Sequence, residues 1–435
     1  MIMSLENDIM EYKSFEAIQN CLSGIELHDL QCVDVMRMLI GKRAIVSYST
    51  GLGKTVLAAA VMRLLWNEKP DRKFIFLGKY DQLSQTPGKL ERYLGRKVVS
   101  SYAEAKSIDK LLSESYQNFS VLFLTHDVLR SERFMNDLFA NKDQYCGLFI
   151  DEAHELSNAG YAQTATILSG MARQFEFCFA LTATPIVSSV SQMSKLMNIV
   201  DYKKFPDVNK VRRELTSGKL RIDDYPCFFI NRTREDFGSK ANYRGMVEFV
   251  DPLPHQLVKC GGNQLFSICK GEGAYPQAEA LVRLIKSRTG KRGLIYINQH
   301  DVRAWVLPFL DEAGIRYRCI NGTTSFYERN EIMNEFNEEK SLDVIITSVT
   351  TALDLDCNYV VFYEFTVNVK QMIGRAHRGL GDKVLDVIFV VTSDSAELDY
   401  FYNNIYEISM IIQGILNQDY SELEQVSMEL ENAKN

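Results

Sequence analysis

Short apolar runs punctuate the chain at 44–46, 73–77, 121–124, 146–150 and 175–181, each followed by polar or glycine-rich sequence. Runs of this length, set between longer helical stretches, read as buried strands. Val33, Val35, Met36 and Leu39 keep a helical rhythm ahead of the first run, and 56–66 reads as the helix after it. Strands alternating with helices predict a parallel sheet, whose ligands gather at the carboxyl ends of the strands. A second alternating set follows at 294–297, 317–320, 344–347, 360–363 and 384–391, so the chain reads as two copies of one α/β layer architecture. Residues 201–280 break the rhythm with charge and glycine and read as a connector. The expected division is a helical extension at 1–24, a first lobe at 25–200, the connector, a second lobe at 281–395, and a C-terminal helix with an acidic tail at 396–435. Leu398, Phe401, Ile405, Ile408, Ile412 and Ile415 would form the apolar face of that helix.

The length of 435 residues suits two or three cores of ordinary size. No apolar run approaches the ~18 residues that span a bilayer, and the acidic start lacks the basic-then-apolar order of a signal peptide. Nine cysteines are scattered without zinc-ligand spacing, which fits reduced thiols in a cytoplasmic compartment. The net charge of −7 is unevenly spread. From Ser393 onward nine acids face one lysine, a balance of −8, which leaves +1 for the rest of the chain. A near-neutral body leaves room for a local basic groove.

Ser49-Thr50-Gly51-Leu52-Gly53-Lys54-Thr55 lies between the first strand and its helix. Strand, glycine loop and Lys-Thr at a helix start make a phosphate cradle, in which backbone N–H groups and the helix N-terminus face phosphate oxygens. Lys54 would reach the β- and γ-phosphates and Thr55 would hold Mg²⁺ through its hydroxyl. The first glycine of the strict pattern is missing, because Tyr48 stands there. Asp151 and Glu152 follow the fourth run directly. Asp151 would hold Mg²⁺ while Glu152 orients and deprotonates the attacking water. Gln31, about twenty residues before the loop, reads either as an adenine contact through its amide or as a solvated helix position. Arg375 and Arg378 are three apart and would share a helix face, suited to bidentate phosphate contact or to a surface ion-pair lattice. The basic run at 286–292 reads as a solvated loop or a DNA contact.

The ordered set resembles superfamily 2 helicases, and within them the Swi/Snf class of double-stranded DNA translocases, of a minimal kind suited to a bacterium or a phage. Asp151-Glu152-Ala153-His154-Glu155-Leu156-Ser157-Asn158 is similar to that class's extended DEAH motif, and 181–186 to its third motif. The segment from Asn231 to Asp236 resembles the passage between lobes, and Asn321-Gly322-Thr323-Thr324 with Arg329 and Phe336 the second-lobe signature. Gln371-Met372-Ile373-Gly374-Arg375-Ala376-His377-Arg378 fits the sixth motif. The resemblance implies two RecA-like lobes, each a parallel sheet flanked by helices, with ATP in the cleft between them. It implies that Gln31 contacts adenine, that Thr50, Gly51, Leu52, Gly53, Gln371, Gly374 and Asp356 line the nucleotide, and that Arg375 and Arg378 complete the site. His154, Thr182 and Thr184 would couple the nucleotide to DNA, which Thr125, Thr323 and Thr347 would touch through its phosphates. Asp354 departs from a usual glycine in the fifth motif. The expected partner is DNA, duplex before single-stranded, with RNA admissible, bound by a monomer, and with a protein partner admissible on the C-terminal helix or the acidic tail. A strand-separating helicase and a non-motor ATP switch stay open as alternatives.

Overall fold

The computed structural model describes residues 15–79, 82, 85–100, 119–157, 162–238, 242–250, 257–261, 264–268, 276–349, 353–377, 384–392, 396–416 and 419–434. It divides into two compact units, Met1–Thr233 and Arg234–Asn435.

The first unit is built on seven strands: β1 (Arg43–Tyr48), β2 (Lys73–Gly78), β3 (Val98–Ser100), β4 (Val121–Thr125), β5 (Tyr145–Ile150), β6 (Phe177–Thr182) and β7 (Phe229–Arg232). They lie in the order β3-β4-β2-β5-β6-β1-β7 and all pair in parallel. Every residue of β4, β5 and β6 is buried, as a sheet covered on both faces requires. Phenylalanines knit the middle: Phe76 stacks on Phe123 at 5.6 Å, and Phe149 meets Phe179 at 5.1 Å. Each fully buried phenylalanine contributes about 1.5–3 kcal/mol. The helices named below are α1 (Phe15–Gln19), α2 (Asp29–Gly41) and α3 (Lys54–Glu68) in this unit.

Register sets the functional edge. Ser47 lies opposite Thr182, Ile150 opposite Ala180, Leu77 opposite Ile150, and Gly78 opposite Thr125. The carboxyl ends of β1, β6, β5, β2 and β4 therefore finish side by side.

The second unit has a six-stranded parallel sheet, ordered Tyr317–Ile320, Val344–Thr347, Gly293–Tyr296, Tyr359–Phe362, Val384–Thr392, Asn242–Val250. Its strands are β8 (Asn242–Val250), β11 (Gly293–Tyr296), β12 (Tyr317–Ile320), β13 (Val344–Thr347), β14 (Tyr359–Phe362) and β15 (Val384–Thr392), with β9 (Leu257–Gly261) and β10 (Gln264–Ile268) forming a separate hairpin. Beside it lie α4 (Val369–Ala376), α5 (Glu407–Leu416) and α6 (Ser421–Lys434). No helix among the described residues is long and apolar enough to cross a membrane.

Three stretches differ from the sequence reading. The span read as a connector carries β7, which pairs with β1, and β8, which pairs with β15 over nine residues. Charged, partly exposed positions along β8 and the shortness of β7 hid two edge strands. The acidic tail is the helix α6, with Leu423, Val426 and Leu430 fully buried at helical spacing. The C-terminal apolar face is also shifted: a π-helical segment, Phe401–Tyr406, precedes α5, and the buried stripe runs Phe401, Ile405, Ser409, Ile412, Leu416. Of the N-terminal extension, the described part is α1 and the residues after it; Ile9 lies outside the described residues.

α6 covers the outer edge of β8. Gly245 N–H donates to Gln425 Oε1 at 2.8 Å and Val247 N–H to Glu429 Oε2 at 2.7 Å. The approach is so close that a Cβ at Gly245 would stand 1.9 Å from the Glu422 carbonyl oxygen. Glu422 is fully buried and paired with Lys370 at 2.6 Å.

Candidate nucleotide site

The loop after β1 turns through two left-handed glycines, Gly51 at φ 86° and Gly53 at φ 91°, a region that side chains other than glycine rarely enter. A Cβ at Gly53 would also meet the Gln31 amide at 2.9 Å. α3 begins at Lys54, so the N–H groups of its first turn and the positive end of its dipole face the loop. Lys54 Nζ curls back to the Tyr48 carbonyl at 3.1 Å. Thr50, Lys54 and Thr55 are half-buried and Gly51 is exposed, while Leu52 is buried beneath the turn.

Asp151 is buried at the end of β5. Its Oδ1 accepts the Glu152 N–H and its Oδ2 accepts Gln82 Nε2, both at 2.9 Å. Burial raises its pKa, the neighbouring Glu152 adds to the rise, and Lys54 works against it. Glu152 adopts φ 48°, a left-handed backbone that costs about 1–3 kcal/mol for a residue with a side chain. Its Oε2 lies 3.5 Å from His154 Nδ1. The same ring nitrogen is 3.0 Å from Thr182 Oγ1, which accepts the Thr184 N–H at 3.1 Å. A polar chain thus runs from the carboxylate after β5 to the loop after β6. Glu155 anchors the other side: burial opposes its charge, but His154 and Lys79 hold its carboxyl down to about 2.

Thr55 and Asp151 offer the hard oxygens that Mg²⁺ takes, and a buried carboxylate raised by a neighbouring carboxylate is relieved by a cation. Among the described residues no three acids, histidines or cysteines form a metal cluster. A cation here would draw its other ligands from phosphate and water, as Mg²⁺ does.

Lys54, Asp151, Glu152, His154, Thr182 and Thr184 are therefore gathered at one edge of one sheet. Other expected residues stand differently. Gln31 is engaged at both ends of its amide: Oε1 accepts the His28 N–H and Nε2 donates to the Leu52 carbonyl, each at 3.0 Å. It braces the loop through one bond at each end of the amide. Thr125 and Thr347 are buried at strand ends; Thr347 Oγ1 bonds both polar groups of the Val349 backbone. Neither hydroxyl is presented to a DNA phosphate, because each points into its own fold. Thr323 is exposed, bonded to Asn321. Asp356 lies 3.3 Å from Arg292. In the basic run 286–292, Arg288 and Arg292 turn toward Asp386 and Asp356. Gln371, Gly374 and Arg375 lie on α4, with Gln371 buried and Arg375 half-buried; Arg378 lies outside the described residues. Gln82 and Asp34 were not singled out by the sequence, since their partners are distant along the chain.

Residues 10–187 match the family described as the Type III restriction enzyme, res subunit, and residues 276–379 match the helicase conserved C-terminal domain. The chain is similar to the ATP-dependent DNA helicase MPH1 of Candida albicans, 24% identical over 335 residues, covering 73% of this chain and 25% of that protein. It is similar also to the ATP-dependent DNA helicase MPH1 of Debaryomyces hansenii, 24% identical over 347 residues, covering 73% of this chain and 28% of that protein. The chain spans about a quarter of the length of these curated relatives. Two parallel sheets in sequence, the first with its phosphate loop and acidic pair, the second matched to the helicase conserved C-terminal domain, give this chain two RecA-like lobes, each flanked by helices.

Proposed function

We propose that the chain is an ATP-driven motor on DNA, a translocase of the Swi/Snf-like type that tracks duplex and remodels protein–DNA complexes or branched DNA. One observation carries the reading: the phosphate loop, the Asp151–Glu152 pair and the His154–Thr182 link finish at the carboxyl ends of adjacent strands. That arrangement joins triphosphate chemistry to a polar relay leading away from it.

In this reading Lys54 and the loop N–H groups hold the β- and γ-phosphates. Thr55 and Asp151 hold Mg²⁺, which when bound neutralises charge on the phosphate oxygens. Glu152 takes the proton of the water whose oxygen attacks the γ-phosphorus as the bond to the bridging oxygen of ADP breaks. Arg375 and Arg378 are assigned to the γ-phosphate. Charge-assisted hydrogen bonds contribute about 1.5–3 kcal/mol each, so two arginines supply about 3–6 kcal/mol. Reversing a 1:99 equilibrium takes about 5.5 kcal/mol, so gain and loss of the γ-phosphate suffices to drive a two-state change.

The named relatives are DNA helicases, which favours DNA as the partner and keeps strand separation as the second reading. ATP turnover measured in parallel with duplex DNA, single-stranded DNA and RNA separates the two. Translocation on duplex predicts the largest stimulation by duplex; stimulation confined to single strands favours the helicase, and none by any of the three removes the motor. Glu152→Gln serves as the control, retaining ATP binding while turnover falls by about 100-fold or more.

A further inference from the structure

The residue that departs from the strict phosphate-loop pattern, Tyr48, is fully buried, and its hydroxyl donates to Asp34 Oδ2 at 2.6 Å. Asp34 lies on α2 and is itself fully buried. It accepts Arg232 Nε at 2.7 Å and Nη2 at 2.9 Å, and Arg37 Nη1 at 3.3 Å. Four donors, two on each oxygen, use the whole accepting capacity of a carboxylate.

This cluster is attached to the loop at its root. The Tyr48 carbonyl receives Lys54 Nζ, and the next N–H, of Ser49, donates to the Arg232 carbonyl at 3.0 Å. Three residues before Asp34 on the same helix, Gln31 holds the Leu52 carbonyl at the loop's far side. Residues three apart share a helix face, so one face of α2 grips the loop at both ends. A glycine at position 48 would have no side chain to offer α2.

We infer that Tyr48 and Asp34 are positioning residues of the phosphate loop, which replace the freedom of a glycine with a fixed hydroxyl–carboxylate–guanidinium tie. The inference rests on the nucleotide-site reading above. Neither residue touches the nucleotide; they set where the lysine and the backbone N–H groups stand before it binds. An interaction of that kind acts on ground state and transition state alike, and so appears in affinity more than in turnover.

The test compares wild type with Tyr48→Phe, which removes one oxygen and leaves the Asp34–Arg232 pair in place. KM for ATP and Kd for ADP are expected to rise roughly tenfold while kcat stays within about twofold. Asp34→Asn is expected to raise both constants by at least as much and to lower Tm as well, because Arg232 loses its buried counter-charge. Should that variant not fold, Tyr48→Phe decides alone. KM and Kd within twofold of wild type, whatever happens to Tm, would show the tie to be structural only and overturn the inference. A wild-type protein that binds no adenine nucleotide would instead remove the nucleotide reading itself.

Discussion

Asp151 carries a buried-charge cost that a bound cation would relieve. Burial, then the charge of Glu152, push its carboxyl up to about 6. In the unfolded chain the same group ionises near pH 3.9. The folded state therefore holds the proton more tightly, and the stability this confers is complete below about pH 4 and lost as pH rises to about 6. Asp151→Asn cannot ionise, and at pH 7 without metal or nucleotide it should be more stable than wild type by about 1–3 kcal/mol, with a flatter profile between pH 4 and 6. Urea denaturation across that range measures it; an equal or lower stability at pH 7 would contradict the strain described. The carboxylate pair, the loop lysine and His154 were legible in the sequence because each sits within a few residues of a strand end. Asp34 was not, since it pairs with Arg232 across 198 positions and looks like any helix acid from its neighbours. Gln82 was hidden for the same reason, 69 residues from Asp151.

At the level of elements, legibility followed the contrast of an apolar run with its flanks more than burial: half-buried β12 was legible at 317–320, and β7, buried at Phe229 and Ile230, was not. β4, β5 and β6 read as continuous apolar runs, whereas β8 has mostly partly exposed positions and looked like linker. α6 reads from the sequence only as an acidic tail, because its acids mask the helical spacing of Leu423, Val426 and Leu430. One of those acids holds it down. Glu422 is fully buried against Lys370, which begins the turn leading to Gln371 and Arg375, and the ammonium also lies over the rings of Tyr243 and Tyr420. Burial raises the Glu422 carboxyl while Lys370 holds it back. Lys370→Met leaves the carboxylate unpaired and should cost about 3–5 kcal/mol at pH 8. The loss should shrink as pH falls, because a proton on Glu422 removes the uncompensated charge. A pH-independent change in Tm would show that the pair contributes packing rather than charge.

For the whole molecule, net charge decides less than its distribution. The chain carries −7, made of −8 from Ser393 onward and +1 before it, so the proposed grip on DNA would rest on local positive groups of a near-neutral body. Binding through backbone phosphates loses affinity with a log–log salt slope of about −0.9 for each phosphate neutralised. Duplex affinity measured between about 50 and 200 mM salt should therefore fall by an order of magnitude or more, with little dependence on base sequence; a flat salt response would argue against phosphate tracking. The sealed border of the second sheet bears on handling the protein at all. β3 and β7, at the margins of the first sheet, span three and four residues, too short to recruit another chain. β8 spans nine, and a naked ribbon of that length is a template for intermolecular pairing. Gln425 and Glu429 occupy the hydrogen-bonding positions a foreign strand would use, so a preparation clipped before Ser421 is at risk of self-association even where its first unit is intact.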